Sequence, residues 1–152
     1  MLIRMVRTMH ELSLDIAQTI LAAALKVARE KNLKPLSVVV YDGRGALRAA
    51  ASEDGTSLKR AEIAMAKAYG ALSLGVGSRA IHKMALDRPY FVAAATHAVG
   101  GQLVPAPGGV LVKDPKGRIL GAVGISGDTS DNDEMAAATA IEAAGFVCDG
   151  GT

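Results

Sequence analysis

The residues best placed to do chemistry lie between 121 and 134, in the stretch GAVGISGDTSDNDE. Asp128, Asp131, Asp133 and Glu134 crowd their carboxylates into a few residues, directly after a glycine turn. An EF-hand calcium loop needs oxygen ligands at alternate positions, a glycine at the sixth and a glutamate at the twelfth. Here the glycine precedes the acids and the loop is too short. A phosphate cradle needs backbone N–H groups without a local negative field, which the carboxylates oppose. Two carboxylates with split pKa values can act as acid and base, and Asp131 and Asp133 are the candidates. The competing structural reading makes Asp131 an N-cap with Glu134 as its capping-box partner, and Asp133 a first-turn acid favoured by the helix dipole. The preceding ISG is a separate matter. Ser126 and Gly127 stand at a strand end, where backbone groups can approach a ligand closely.

Lys67 and Arg79 are the cations that a carboxylate-bearing ligand would use, one as a point charge and the other as a planar fork. The alternative is a solvated helix face. His10, His82 and His97 show no metal-binding spacing, and no four-ligand zinc cluster appears. His82 and His97 fall on short helices flanking GGQLVPAPGG, residues 100–109, and so could face a common cleft. An irregular segment of that length usually lines something, and Gly108 and Gly109 at its end are candidate backbone contacts. Ser78 and Ser126 lack a nucleophile elbow. Cys148, the only cysteine, can form no intrachain disulfide and has no neighbouring base to activate it.

The elements that must position these residues can be read from periodicity. Ser13 caps a helix in which Ala17, Ile20, Leu21, Ala24, Leu25 and Ala28 recur at helical spacing, ending near Asn32. PLSVVVY, 35–41, is a continuous β-branched run, expected to be covered on both faces. DGRG turns it into a returning strand, ALRAAA, 46–51. A second helix runs from Leu58 and stops at GVG, 75–77. Ser78 is expected to cap a short helix, and Pro89 to open another. VLVKD, 110–114, and RILGAVGIS, 118–126, form a hairpin, and a closing helix covers 133–145. The order α-β-β-α-α-α-β-β-α, with both strand pairs hairpin-linked, predicts an α/β (α+β) domain with a mainly antiparallel sheet. It excludes a Rossmann crossover pattern.

Half the chain is apolar, yet only 3% is aromatic and tryptophan is absent. An alanine- and glycine-rich core buries little area per residue and relies on close packing, which points to a homo-oligomer. The formal charge is +2, without a basic cluster, which argues against nucleic acid as a partner. No signal peptide and no apolar span long enough for a membrane is apparent, so a cytoplasmic location is expected. The expected organisation is an N-terminal tail over 1–11, one domain over 12–147 and a C-terminal tail over 148–152.

Taken together, LKPLSVVVYDGRGAL, AEIAMAKAYGAL and PAPGGVLVKDPKGRILGAVGISGDTSDNDE resemble the GlcG/HbpS family of haem-binding-like domains, which also forms the C-terminal part of PduO-type proteins. The resemblance covers about 12–146. It implies a profilin-like domain, an antiparallel sheet of about five strands with helices on both faces, commonly in homo-oligomers. It also implies a small-molecule ligand, with haem or a related tetrapyrrole as cofactor. In some relatives a histidine of the N-terminal helix ligates the iron. Here that helix carries Asp15, Ala17 and Gln18, so His82, His97 and His10 are the remaining iron candidates, and Val104, Val110 and Leu111 would supply an aliphatic wall. Two alternatives stand beside this one. In the first, the chain serves small organic-acid catabolism, binding its substrate through Lys67, Arg79, Ser126 and Gly127 with Asp131 or Asp133 as base. In the second, it is a structural oligomer without a ligand.

Overall fold

The computed structural model describes residues 12–152. His10 lies outside the described residues. The chain runs α1 (Leu14–Glu30), β1 (Ser37–Asp42), β2 (Leu47–Ser52), α2 (Arg60–Leu74), α3 (Ser78–Asp87), α4 (Pro89–Ala98), β3 (Gly109–Lys113), β4 (Ile119–Ser126), α5 (Ser130–Ala143) and β5 (Val147–Asp149). The strands form one antiparallel sheet in the order β2-β1-β4-β3-β5. The two hairpins are those marked by DGRG and DPKG. The β1–β4 pairing that joins them is non-local, matching Ser37 with Ser126 and Asp42 with Gly121.

Every residue of β1 is buried, as expected of a strand covered on both sides. Val38 and Val40, with Val110, Val112, Val123 and Ile125, face α1 and α5. Those helices present Ala17, Ile20, Ala24 and Ala28, and Ala136, Ala137, Ala140 and Ile141. Val39, Tyr41, Leu111 and Ala122 point the other way, onto Ala64, Ala68 and Ala71 of α2. Small residues let α2 approach to backbone contact. Gly109 and Gly124 are paired across β3 and β4. A Cβ at Gly124 would overlap the Ala64 carbonyl, and one at Gly109 the Lys67 carbonyl. A third, smaller cluster of Ile81, Val92 and Leu103 holds α3 and α4.

The helix ends follow local chemistry. Ser13 Oγ accepts the Ile16 N–H at 3.2 Å, as a capping serine should. Asn32 closes α1 in the left-handed region at φ 53°, and Gly75 does the same for α2 at φ 72°. Two expected caps differ. Thr129, not Asp131, is the N-cap of α5, accepting from Asn132 N–H at 3.2 Å, so the helix starts at Ser130 and Asp131 and Asp133 lie within its first turn. Gly77, not Ser78, is the N-cap of α3. The Ser78 hydroxyl is instead buried, accepting from Gly109 N–H at 2.7 Å. The fifth strand, Val147–Asp149, pairs with β3 through Leu111–Asp149, Val112–Cys148 and Lys113–Val147. Its three residues are too few to show a period.

Candidate functional site

The acids of GDTSDNDE each hold a different element. Asp128 accepts from Lys34 N at 2.8 Å, which ties the α1–β1 connection, and also from Thr129 N and Asn132 Nδ2. These donors lower its pKa to about 2, the Asn132 amide contributing most. Asp133 reaches Lys67 Nζ of α2 at 3.2 Å, and its second oxygen accepts the Asp128 N–H at 3.0 Å. Asp131 and Glu134 both grip Arg79 of α3, with Nε 3.0 and 3.2 Å from the two Glu134 oxygens. Four acids thus anchor the α1–β1 connection, α2 and α3 to the start of α5.

Lys67 leaves α2 on one face of the sheet and meets Asp133 of α5, whose helix packs on the other. It passes the sheet end, donating to the Ile125 carbonyl at 2.9 Å, and Gly108 at φ 125° leaves room where a Cβ would press on Nζ. Both partners are almost fully buried, Lys67 at 3% and Asp133 at 1% exposed. Burial is the largest influence on each: it lowers the Lys67 pKa and raises that of Asp133. The mutual attraction, with the backbone N–H groups of Asp128 and Gly127 at Asp133, offsets this only in part. Buried pairs commonly return little net stability because desolvation opposes their attraction, and the role of this one is to fix how α2, the sheet end and α5 sit together.

The other candidates are placed as follows. Ser126 is fully buried and accepts from Arg60 Nη1 at 3.2 Å. Gly127 is packed on Pro35 and Leu36, where a Cβ would overlap the Pro35 carbonyl. Gly108 and Gly109 face Lys67 and Ser78. The structure thus brings Lys67, Gly108, Gly109, Ser126, Gly127 and Asp133 to one end of the sheet, with protein groups rather than open space around them. His82 and His97 are exposed. His82 Nδ1 lies 3.1 Å from the Pro105 carbonyl, while His97 stands in the last turn of α4. Of the aliphatic wall, Val110 and Leu111 are buried in opposite faces of the sheet. Val104 lies in the irregular segment, its N–H on the Ala66 carbonyl at 3.3 Å. The Cys148 thiol is raised to about 11, chiefly by burial and then by Glu142, its acceptor at 3.3 Å.

A feature that sequence spacing did not reveal is an open cleft of about 340 Å³ between α2 and the irregular segment, lined by Glu62, Met65, Ala66, Gly101 and Gln102. Its lining pairs residues more than thirty positions apart, which only the tertiary fold joins. No three His, Cys, Asp or Glu side chains among the described residues converge to hold a metal ion. No helix among them is long and apolar enough to cross a membrane.

A family model described as haem degrading protein HbpS-like matches residues 12–142. The chain belongs to the HbpS-like family. Solved structures agree on the fold. The Klebsiella pneumoniae protein ORFY superposes with a TM-score of 0.79 at 26% identity, over 88% of this chain and 90% of that one. HbpS superposes at 0.75 with 25% identity, over 88% and 89%. PduOC, solved as a haem complex, gives 0.79 at 23% identity over 90% and 96%. No curated protein matches significantly. The five-stranded antiparallel sheet with helices on both faces is thus the family's architecture, as the motif order implied.

Proposed function

We propose that this HbpS-like chain binds haem or a closely related tetrapyrrole, with His82 as the iron ligand. The observation that carries the choice of residue is the His82–Pro105 contact. A carbonyl oxygen can only accept, so Nδ1 must be the donor, and in the neutral ring Nε2 then keeps its lone pair. Histidines that ligate metals typically donate their other N–H to a carbonyl or carboxylate in this way. The ring is exposed and belongs beside the segment that also lines the apolar cleft at Met65 and Ala66. In this reading His82 would hold the iron, and the cleft at Met65 and Ala66 would supply apolar wall. When bound, the haem supplies the redox and dioxygen chemistry of its iron, and the protein supplies ligand, orientation and surroundings. The family's description and the PduOC haem complex support the ligand class.

The organic-acid reading draws no support from the geometry, because Lys67 and Arg79 already sit on Asp133, Asp131 and Glu134. Self-association belongs to the same proposal, supported by the outward Leu86, Tyr90 and Phe91 of α3 and α4. Sedimentation of the purified chain reads it.

Titration of the purified chain with hemin tests the ligand. A saturable, sharp Soret band that broadens or is lost in His82→Ala, and persists in His97→Ala, is the expected result. A band unchanged in His82→Ala removes the assignment.

A further inference from the structure

We infer that the outer edge of β2 docks on the same edge of a second copy of this chain, the two strands pairing antiparallel about a two-fold axis at Ala51. This rests on the self-association reading and gives it a surface apart from Leu86, Tyr90 and Phe91; it does not depend on the tetrapyrrole.

β2 ends the sheet and pairs only with β1. The Leu36 carbonyl accepts the Glu53 N–H at 2.9 Å, and antiparallel bonding alternates along a strand. Ala49 and Ala51 therefore turn their backbone groups to β1, and Ala50 and Ser52 turn theirs outward. Both are exposed, and these outward groups meet no partner among the described residues. Folded proteins usually guard such an edge with proline, lysine, a bulge or a very short strand. The opposite edge, β5, is three residues long. β2 has no proline and no lysine, and its bulge lies beyond Ala49, leaving 49–52 in regular register. Its single charge, Arg48, is turned onto the buried Asp42, with Nε at 3.0 Å and Nη2 at 2.8 Å from Oδ2.

The edge is complementary to itself. It runs from a basic end, Arg44 and Arg48, to an acidic one, Glu53 and Asp54. A two-fold axis reverses one copy, so each basic end meets the other's acidic end. Pairing Ala50 with Ser52 of the second copy joins the outward groups of both residues. That register sets Ala51 against its own copy, at a position of closest approach where alanine fits, and sets Arg48 against Asp54. No like charges face each other. Such rim pairs contribute little affinity but select the orientation. A two-fold contact also closes on itself and does not propagate into a filament.

A bare strand edge buries less than the roughly 800 Å² per partner of a standard interface. A second layer adds to it. α1 packs on both β1 and β2, and neighbouring strands lie about 4.8 Å apart. Extending the sheet across β2 therefore sets the two α1 helices about 10 Å apart, the upper end of helix-packing distances. The product is one continuous sheet, five strands from each copy.

Sedimentation velocity across a concentration series tests the edge, with residue-resolved amide exchange on the same samples. The wild-type chain is expected to associate as concentration rises, and the Ala50 and Ser52 amides to become protected in step. Ala50→Pro removes an outward N–H, which an edge strand tolerates, and should weaken association roughly tenfold, because main-chain bonds supply the affinity of strand addition. Asp54→Lys, at an exposed position, sets like charges at both ends and should weaken it too, with an unchanged melting temperature. It decides the matter if Ala50→Pro fails to fold. Association kept by both β2 variants and lost in Tyr90→Ser overturns this edge while self-association stands. Protection of Ala50 and Ser52 that is the same at every concentration means the chain covers its own edge, and overturns it as well. A monomer at every concentration removes both.

Discussion

Replacing Asp133 by alanine strands a charge. Lys67 Nζ would keep the Ile125 carbonyl at 2.9 Å but lose its counter-ion at 3.2 Å, in a site where the lysine is 3% exposed. The Asp128 N–H would lose its acceptor as well. Breaking a buried pair from one side costs about 3–5 kcal/mol. The lysine has one escape, shedding its proton at pH 7, which costs about 4.6 kcal/mol from an ordinary pKa near 10.4. That figure caps the charge penalty, so about 3–5 kcal/mol is the expected loss, a large share of the 5–15 kcal/mol typical of a domain. Urea denaturation followed by circular dichroism measures it. The pH dependence supplies a second readout. Without Asp133 the Lys67 pKa in the fold lies further below its unfolded value, so the stability lost at neutral pH returns as pH rises towards 10. A Lys67→Met/Asp133→Leu double variant removes both charges, leaving neutral backbone groups (the Asp128 and Gly127 N–H and the Ile125 carbonyl) to lose a partner. It should be at least about 2 kcal/mol more stable than Asp133→Ala. A single variant costing under about 1 kcal/mol, or a double variant no better than the single, would refute the reasoning.

Two further outcomes follow from the same geometry. Asp128 has its pKa depressed from 3.8 to about 2, so its contribution is complete above the unfolded value and is lost as pH falls from about 4 to about 2. Asp128→Asn should flatten the acid limb of a stability–pH profile in that window, and an unchanged limb counts against the assigned donors. Gly124→Ala drives a methyl into the Ala64 carbonyl and should cost about 3 kcal/mol or more by forcing α2 off the sheet. Gly117→Ala, at φ +82° with open space, should cost only about 1 kcal/mol. Thermal melts of the two that coincide would contradict the close approach of α2.

Local chemistry is what the sequence displays well. Ser13, the DGRG turn, GVG and Pro89 act within a few residues of themselves, and all stand where their spacing implied. The helix and strand order, the antiparallel hairpins and the family motifs share that legibility. Partners far apart in the chain are different. In the sequence Lys67 reads as a cation for an acidic ligand or as part of a solvated helix face, and only the β1–β4 pairing and the approach of α2 reveal that it passes the sheet end to Asp133. Asp131 and Glu134 satisfy a capping-box spacing, yet a threonine two residues earlier takes the cap and an arginine fifty residues away takes the acids. The ligand-sized cleft joins Met65 to Gly101, a contact no local pattern encodes.

The central claim is that a tetrapyrrole binds through His82, and chemical rescue tests it most directly. His82→Gly removes the ring and leaves space for a free imidazole. The prediction is a hemin complex that loses the wild-type Soret band in the glycine variant and regains it when imidazole is added. A wild-type band retained by His82→Gly without imidazole, or no saturable hemin binding by the wild-type chain, would contradict the claim.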